Sequence, residues 1–152
     1  MSALDPAAMV PHLMQLGTVL NRSRLVERAA EQVGIPVDRP GLTVLITLRM
    51  AGQPLRVGEI AARMQVVGPH VTRHLHELER ADLVRRVTDP DDQRARLVEL
   101  TEKGAGAAGR YLGAVLGWFA EAVADWSEED RETFGRLLGR FVEDLQAHLV
   151  RE

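Results

Sequence analysis

His70, His74 and His76, the carboxylates of Asp89, Asp91 and Asp92, and the guanidinium groups of Arg73 and Arg94 are the side chains here whose types and spacing could do chemistry. Histidines four apart on a helix share a face and can offer two ligands to zinc, which needs a third from the protein. His70 and His74 have that spacing, but no carboxylate set is evident near them, so no metal site is expected. The three aspartates could hold magnesium only in a concave, dry setting, which the tip of a turn does not supply. No glycine-rich phosphate loop and no Ser/His/Asp arrangement is evident. An enzyme is therefore not expected, and neither is a cofactor. What remains is arginine, whose planar donor fork fits guanine edges and phosphate.

The whole chain limits how that chemistry can be used. Its 152 residues suit one domain, or two small connected lobes. A formal net charge of −3 argues against a globally basic nucleic-acid binder, so any DNA contact must rest on local charge. Lys103 is the single lysine, and so strong a preference for arginine fits a GC-rich genome better than selection for binding. The absence of cysteine excludes disulfides, thiolate metal sites and a thiol-based oxidation sensor. No apolar run approaches the roughly 20 residues of a membrane span. The opening Met1-Ser2-Ala3-Leu4-Asp5-Pro6 lacks the basic and apolar regions of a secretory signal, which makes a cytoplasmic location the expectation.

The elements that must position the arginines follow from periodicity. Met9, Leu13, Leu16 and Leu20 form a helical stripe and predict one long helix over residues 6–33, ended by Gly34-Ile35-Pro36. Asp38 caps a second helix with Pro40 in its first turn and Leu42, Leu45, Ile46 and Leu48 inside. Val57, Ile60, Ala61 and Met64 mark a short third helix with Arg56 and Glu59 at its start. Gln65-Val66-Val67 separates it from a fourth, which begins at Gly68-Pro69 and turns Val71, Leu75 and Leu78 inward. Residues 83–88 and 95–100 are rich in β-formers and flank a turn composition, which predicts a hairpin. Thr101 caps a helix over about 102–125, and Ser127 caps a last one striped with Phe134, Leu137, Leu138, Phe141, Leu145 and Leu149. Helices at both ends carry apolar stripes too large for a small central lobe to cover, and pairing with a second copy buries them; a homodimer is expected.

Two short helices around a three-residue turn have helix-turn-helix spacing, and the hairpin makes the motif winged. The fold class is thus mainly α with a small β-hairpin wing. A winged helix-turn-helix lobe over 40–100 joins a helical dimerisation lobe built from 6–33 and 102–150. Advancing 100° per residue from Val71 places Pro69, Arg73, His76, Glu77 and Arg80 on the solvent face, with His70 and Thr72 at its borders. Pro69, His70, Thr72 and Arg73 are the candidates to reach base edges, Arg73 as a bidentate partner of guanine. Arg85, Arg86 and Arg96 are candidates for phosphate contacts or acid pairing, and Asp89 and Asp91 for forming the turn.

At this level the sequence resembles the MarR family of bacterial transcription regulators. Asp92-x-Arg94-x-x-x-Val98-x-Leu100-Thr101-x-x-Gly104 follows that family's wing signature. Val71-Thr72-Arg73, Glu77-Leu78-Glu79 and Leu83-Val84-Arg85-Arg86 follow its recognition-helix and strand pattern. The detailed resemblance runs over residues 42–104. It implies that Arg94 enters the minor groove from the wing tip while Asp92 pairs with it or with neighbouring arginines. It also implies a homodimer on a pseudo-palindromic double-stranded DNA operator, most often as a repressor, released by a small aromatic or phenolic anion. His12, and Arg24 on the otherwise apolar first stripe, are candidates to hold such an effector; Arg24 could instead pair with an acid across the dimer or snorkel. The alternatives are a winged-helix module that binds only protein and a metal-responsive regulator. Two departures from the family stand out: Gln65 where glycine is common in the turn, and Val67 where serine commonly caps. Each is expected to cost on the order of 1 kcal/mol.

Overall fold

The computed structural model describes residues 6–22 and 25–149. Helices α1 (Pro6–Arg22) and α2 (Leu25–Val33) stand where one long helix is expected, and residues 23 and 24 lie outside the described residues. On α2, Ala29 is buried. Gly34, at φ 66°, ends α2 in the left-handed region.

Helix α3 (Arg39–Ala51) starts as expected: the Asp38 carboxylate accepts the Gly41 N–H at 2.9 Å, and proline occupies the first turn. A two-residue strand β1 (Leu55–Arg56) follows, then α4 (Val57–Met64) and α5 (Gly68–Arg80). The hairpin is β2 (Val84–Thr88) and β3 (Arg96–Leu100), and β1 adds to the outer side of β3 to give an antiparallel sheet in the order β1-β3-β2. In this register Leu55 faces Val98 and Arg86 also faces Val98 across the other side. Two residues show no alternation, which is why β1 carries no signal of its own.

The core lies where α3, α4, α5 and the sheet converge. Val44, Leu45, Leu55, Ile60, Val71, Leu75, Leu78, Leu83 and Val98 are its largest fully buried side chains. At about 1.5–3 kcal/mol per buried aliphatic side chain, this cluster holds the lobe that carries the arginines.

Helix α6 (Glu102–Ala122) begins in the same unit, Met1–Val115, and its end belongs to a second unit, Leu116–Glu152. In the second unit, α7 (Glu128–Leu149) is capped by Ser127, whose hydroxyl accepts the Asp130 N–H at 3.1 Å. Trp126 meets Phe134 edge-on at 5.4 Å. No described residue of α7 is buried. Its stripe of Phe134, Leu137, Leu138, Phe141, Leu145 and Leu149 is exposed, and so, on α1, are Leu13, Leu16 and Leu20. No helix among the described residues is long and apolar enough to cross a membrane.

Candidate nucleic-acid interface

The turn between α4 and α5 takes the shape the two departures imply. Gln65 sits at φ 56°, ψ 41°, in the left-handed region, and its N–H reaches the carbonyls of Ala61 and Ala62. Val67 occupies the N-cap of α5 with extended backbone and no side-chain hydrogen bond. The amides of the first turn of α5 therefore have no side chain from the N-cap residue to accept them.

On α5, Pro69, His70 and Arg73 are exposed and Thr72 is half-buried, as the helical phase predicts. The Thr72 hydroxyl donates to the Gly68 carbonyl at 3.2 Å. His74 departs from expectation. It is 5% exposed, because positions 71, 74, 75 and 78 repeat the i, i+3, i+4, i+7 spacing of a buried stripe, although a histidine on this surface helix is expected at or beside the DNA-facing surface. A carboxylate set, not evident in the sequence, does stand near His74: packing brings Asp38 beside it from the start of α3, and Glu77 lies one turn on along α5 itself. His70 packs edge-on against the same ring at 5.1 Å.

The wing is shaped by its aspartates. Asp89 Oδ1 accepts the Asp91 N–H at 2.9 Å, and Asp92 Oδ1 accepts the Arg94 N–H at 3.0 Å. Both are Asx turns, which fold the tip back within a few residues. Asp92 thus engages the backbone of Arg94, and its other oxygen lies 4.0 Å from Arg56 Nη2. Arg56 is the functional residue that sequence reasoning missed. Its guanidinium donates twice to Asp89 Oδ2, from Nε at 3.0 Å and Nη2 at 2.6 Å, tying the start of α4 to the base of the tip. The Asp91 amide and then Arg56 hold the Asp89 carboxyl below the usual carboxylate range, and Asp89 in turn raises the Arg56 pKa.

The other arginines divide by partner. Arg85 pairs with Glu99 at 2.6 Å and Arg86 with Glu79 at 2.8 Å. Arg96 donates to the Thr88 hydroxyl at 3.0 Å and the Gln93 carbonyl at 3.4 Å. Arg94 and Arg73 are exposed, and among the described residues neither guanidinium has an ion-pair partner. Of the effector candidates, His12 is exposed with Nδ1 3.0 Å from the Ala8 carbonyl of its own helix, and Arg24 lies outside the described residues.

A helix presented after a tight turn, followed by a hairpin with an unpaired arginine at its tip, defines a winged helix-turn-helix protein. Residues 38–95 match the MarR family. YwoH of Bacillus subtilis (strain 168), an uncharacterized HTH-type transcriptional regulator, is 33% identical over 101 residues, 66% of this chain and 72% of that protein. The chain belongs to the MarR family. Its fold is also that of a MarR family protein from Bacillus stearothermophilus, with a TM-score of 0.76 at 23% identity over 95% of this chain and 99% of that one. A point mutant of S. aureus MepR, solved bound to an oligodeoxyribonucleotide, aligns with a TM-score of 0.61 at 24% identity over 89% of this chain and 96% of that one.

Proposed function

We propose that this regulator binds double-stranded DNA as a homodimer, represses transcription from a pseudo-palindromic operator and is released by a small aromatic or phenolic anion. The observation that carries the DNA reading is the placement of two exposed guanidinium groups, Arg73 on the outer face of α5 and Arg94 at the wing tip, each without an ion-pair partner among the described residues. Helix α5 would lie in the major groove, with Pro69, His70, Thr72 and Arg73 toward base edges and Arg73 bidentate to guanine. Arg94 would enter the neighbouring minor groove, where narrow width concentrates negative potential. Asp92 serves by holding the Arg94 backbone in its turn. Arg96 and Arg86 would meet phosphate, Arg86 after exchanging Glu79 for it. The relatives' description as transcriptional regulators and the DNA-bound MepR support the same reading.

Dimerisation is supported by the exposed stripes of α1 and α7, each of which needs an apolar partner. Two copies would set their recognition helices about 34 Å apart, in successive major grooves. The effector reading rests on the family and on His12 and Arg24.

Selection of bound fragments from a random DNA pool, followed by fluorescence anisotropy at several salt concentrations, tests the proposal. A palindromic consensus is expected, bound with an affinity that falls steeply with salt. Arg73→Ala should cost about 1–3 kcal/mol and relax preference at one base pair, while Arg94→Ala should weaken binding and lower the salt slope by about 1. Absence of salt-sensitive affinity for every duplex in the pool would remove the DNA reading and favour a protein-binding module.

A further inference from the structure

Helix α5 carries a polar group that the nucleic-acid interface does not use. His74 is 5% exposed, and its Nδ1 has no hydrogen-bond partner among the described residues. A buried imidazole nitrogen left without a partner is costly, and such an atom calls for an explanation. Nδ1 lies 3.4 Å from Asp38 Oδ1 without forming a hydrogen bond to it. Glu77 lies one helical turn beyond His74 on α5, and one ligand atom from each of Asp38, His74 and Glu77 falls within 4.8 Å of the others.

We propose that Asp38, His74 and Glu77 bind a divalent first-row transition-metal ion, with zinc as the ion to test. Zinc bonds to imidazole nitrogen and carboxylate oxygen are about 2.0–2.2 Å long, so two such ligands at a tetrahedral centre stand about 3.3–3.6 Å apart. The His74–Asp38 separation already has this value, and Glu77 closes the third position by a side-chain adjustment at the surface. One nitrogen with two carboxylates suits zinc rather than magnesium or calcium, which favour all-oxygen shells. Capping does not compete, because a carboxylate has about four lone-pair sites and the Gly41 N–H occupies one. Asp38 and Glu77 are exposed, so the ion has a route in and a position left for water. The site joins the start of α3 to the middle of α5, and its existence is independent of what α5 binds.

The test is isothermal titration calorimetry of the metal-free full-length protein with zinc chloride alone near neutral pH. About one ion per chain is expected. Glu77→Gln alters only an exposed side chain, and Asp38→Asn keeps a capping oxygen; each should weaken zinc binding about tenfold or more with an unchanged circular dichroism spectrum. His76→Gln, on the solvent face of the same helix, should leave the affinity unchanged. No zinc uptake by the wild type, or uptake insensitive to both Glu77→Gln and Asp38→Asn, overturns the proposal. Loss of binding in His76→Gln alone places the ion elsewhere and overturns it too.

Discussion

Arg56 and Asp89, 33 residues apart in sequence, meet through two charge-assisted hydrogen bonds that pin the wing to the first turn of α4. Glu59 completes the corner by accepting the Arg56 backbone N–H at 2.7 Å. The Asp89 carboxylate is therefore shared between its own turn and a neighbouring helix.

This pairing has a pH dependence of defined sign. The folded-state pKa of Asp89 lies below that of the unfolded chain, so the contribution is complete above roughly pH 4–5 and is lost as pH falls through the depressed value. Asp89→Asn should lower Tm near neutral pH and flatten the acid limb of the Tm–pH curve. Calorimetric scans of wild type and variant from pH 7 down to about 3 check this; parallel curves would be the contrary result.

Gly104 is required by contact. A Cβ there would collide with the Leu83 carbonyl oxygen, which itself accepts the Thr101 N–H at 3.1 Å. Because the obstacle is backbone, relief demands moving the start of α6 from the sheet. Gly104→Ala should cost about 3 kcal/mol in urea denaturation, against about 1 kcal/mol for Thr101→Ala, which removes a cap.

The turn before α5 leaves stability unclaimed. Gln65→Gly relieves a left-handed residue, and Val67→Ser supplies the missing cap at a side chain that is 71% exposed. Each should stabilise by about 1 kcal/mol, measured as a shift in the urea midpoint at constant slope.

Phe141 lies in the middle of the exposed α7 stripe. If the stripe closes on a second copy, Phe141→Glu should weaken dimerisation by on the order of 2 kcal/mol, about thirtyfold in dissociation constant. Sedimentation velocity reads this directly. A variant that sediments as the wild type does would move the dimer contact off α7.

What the sequence reveals is mostly local. The caps at Asp38 and Ser127, the turn at residues 89–95 and the stripe of α5 follow from short-range chemistry, and each stands in the structure as expected. Contacts made by folding are less legible. The Arg56–Asp89 pair and strand β1 depend on the sheet bringing distant segments together. One signal is present but subtle: the placing of His74 on a buried stripe that its polarity disguises.

The joint at Thr101 has a mechanical meaning. Its hydroxyl donates to the Asp82 carbonyl at 2.6 Å and accepts the Gly104 N–H at 3.0 Å, while Lys103 reaches the Ala81 carbonyl at 2.7 Å. Together with Leu83 against Gly104, these contacts weld the first turn of α6 to the segment that joins α5 to β2. The start of α6 is thereby held to the short stretch between the recognition helix and the wing, so substitutions at this corner act on both at once.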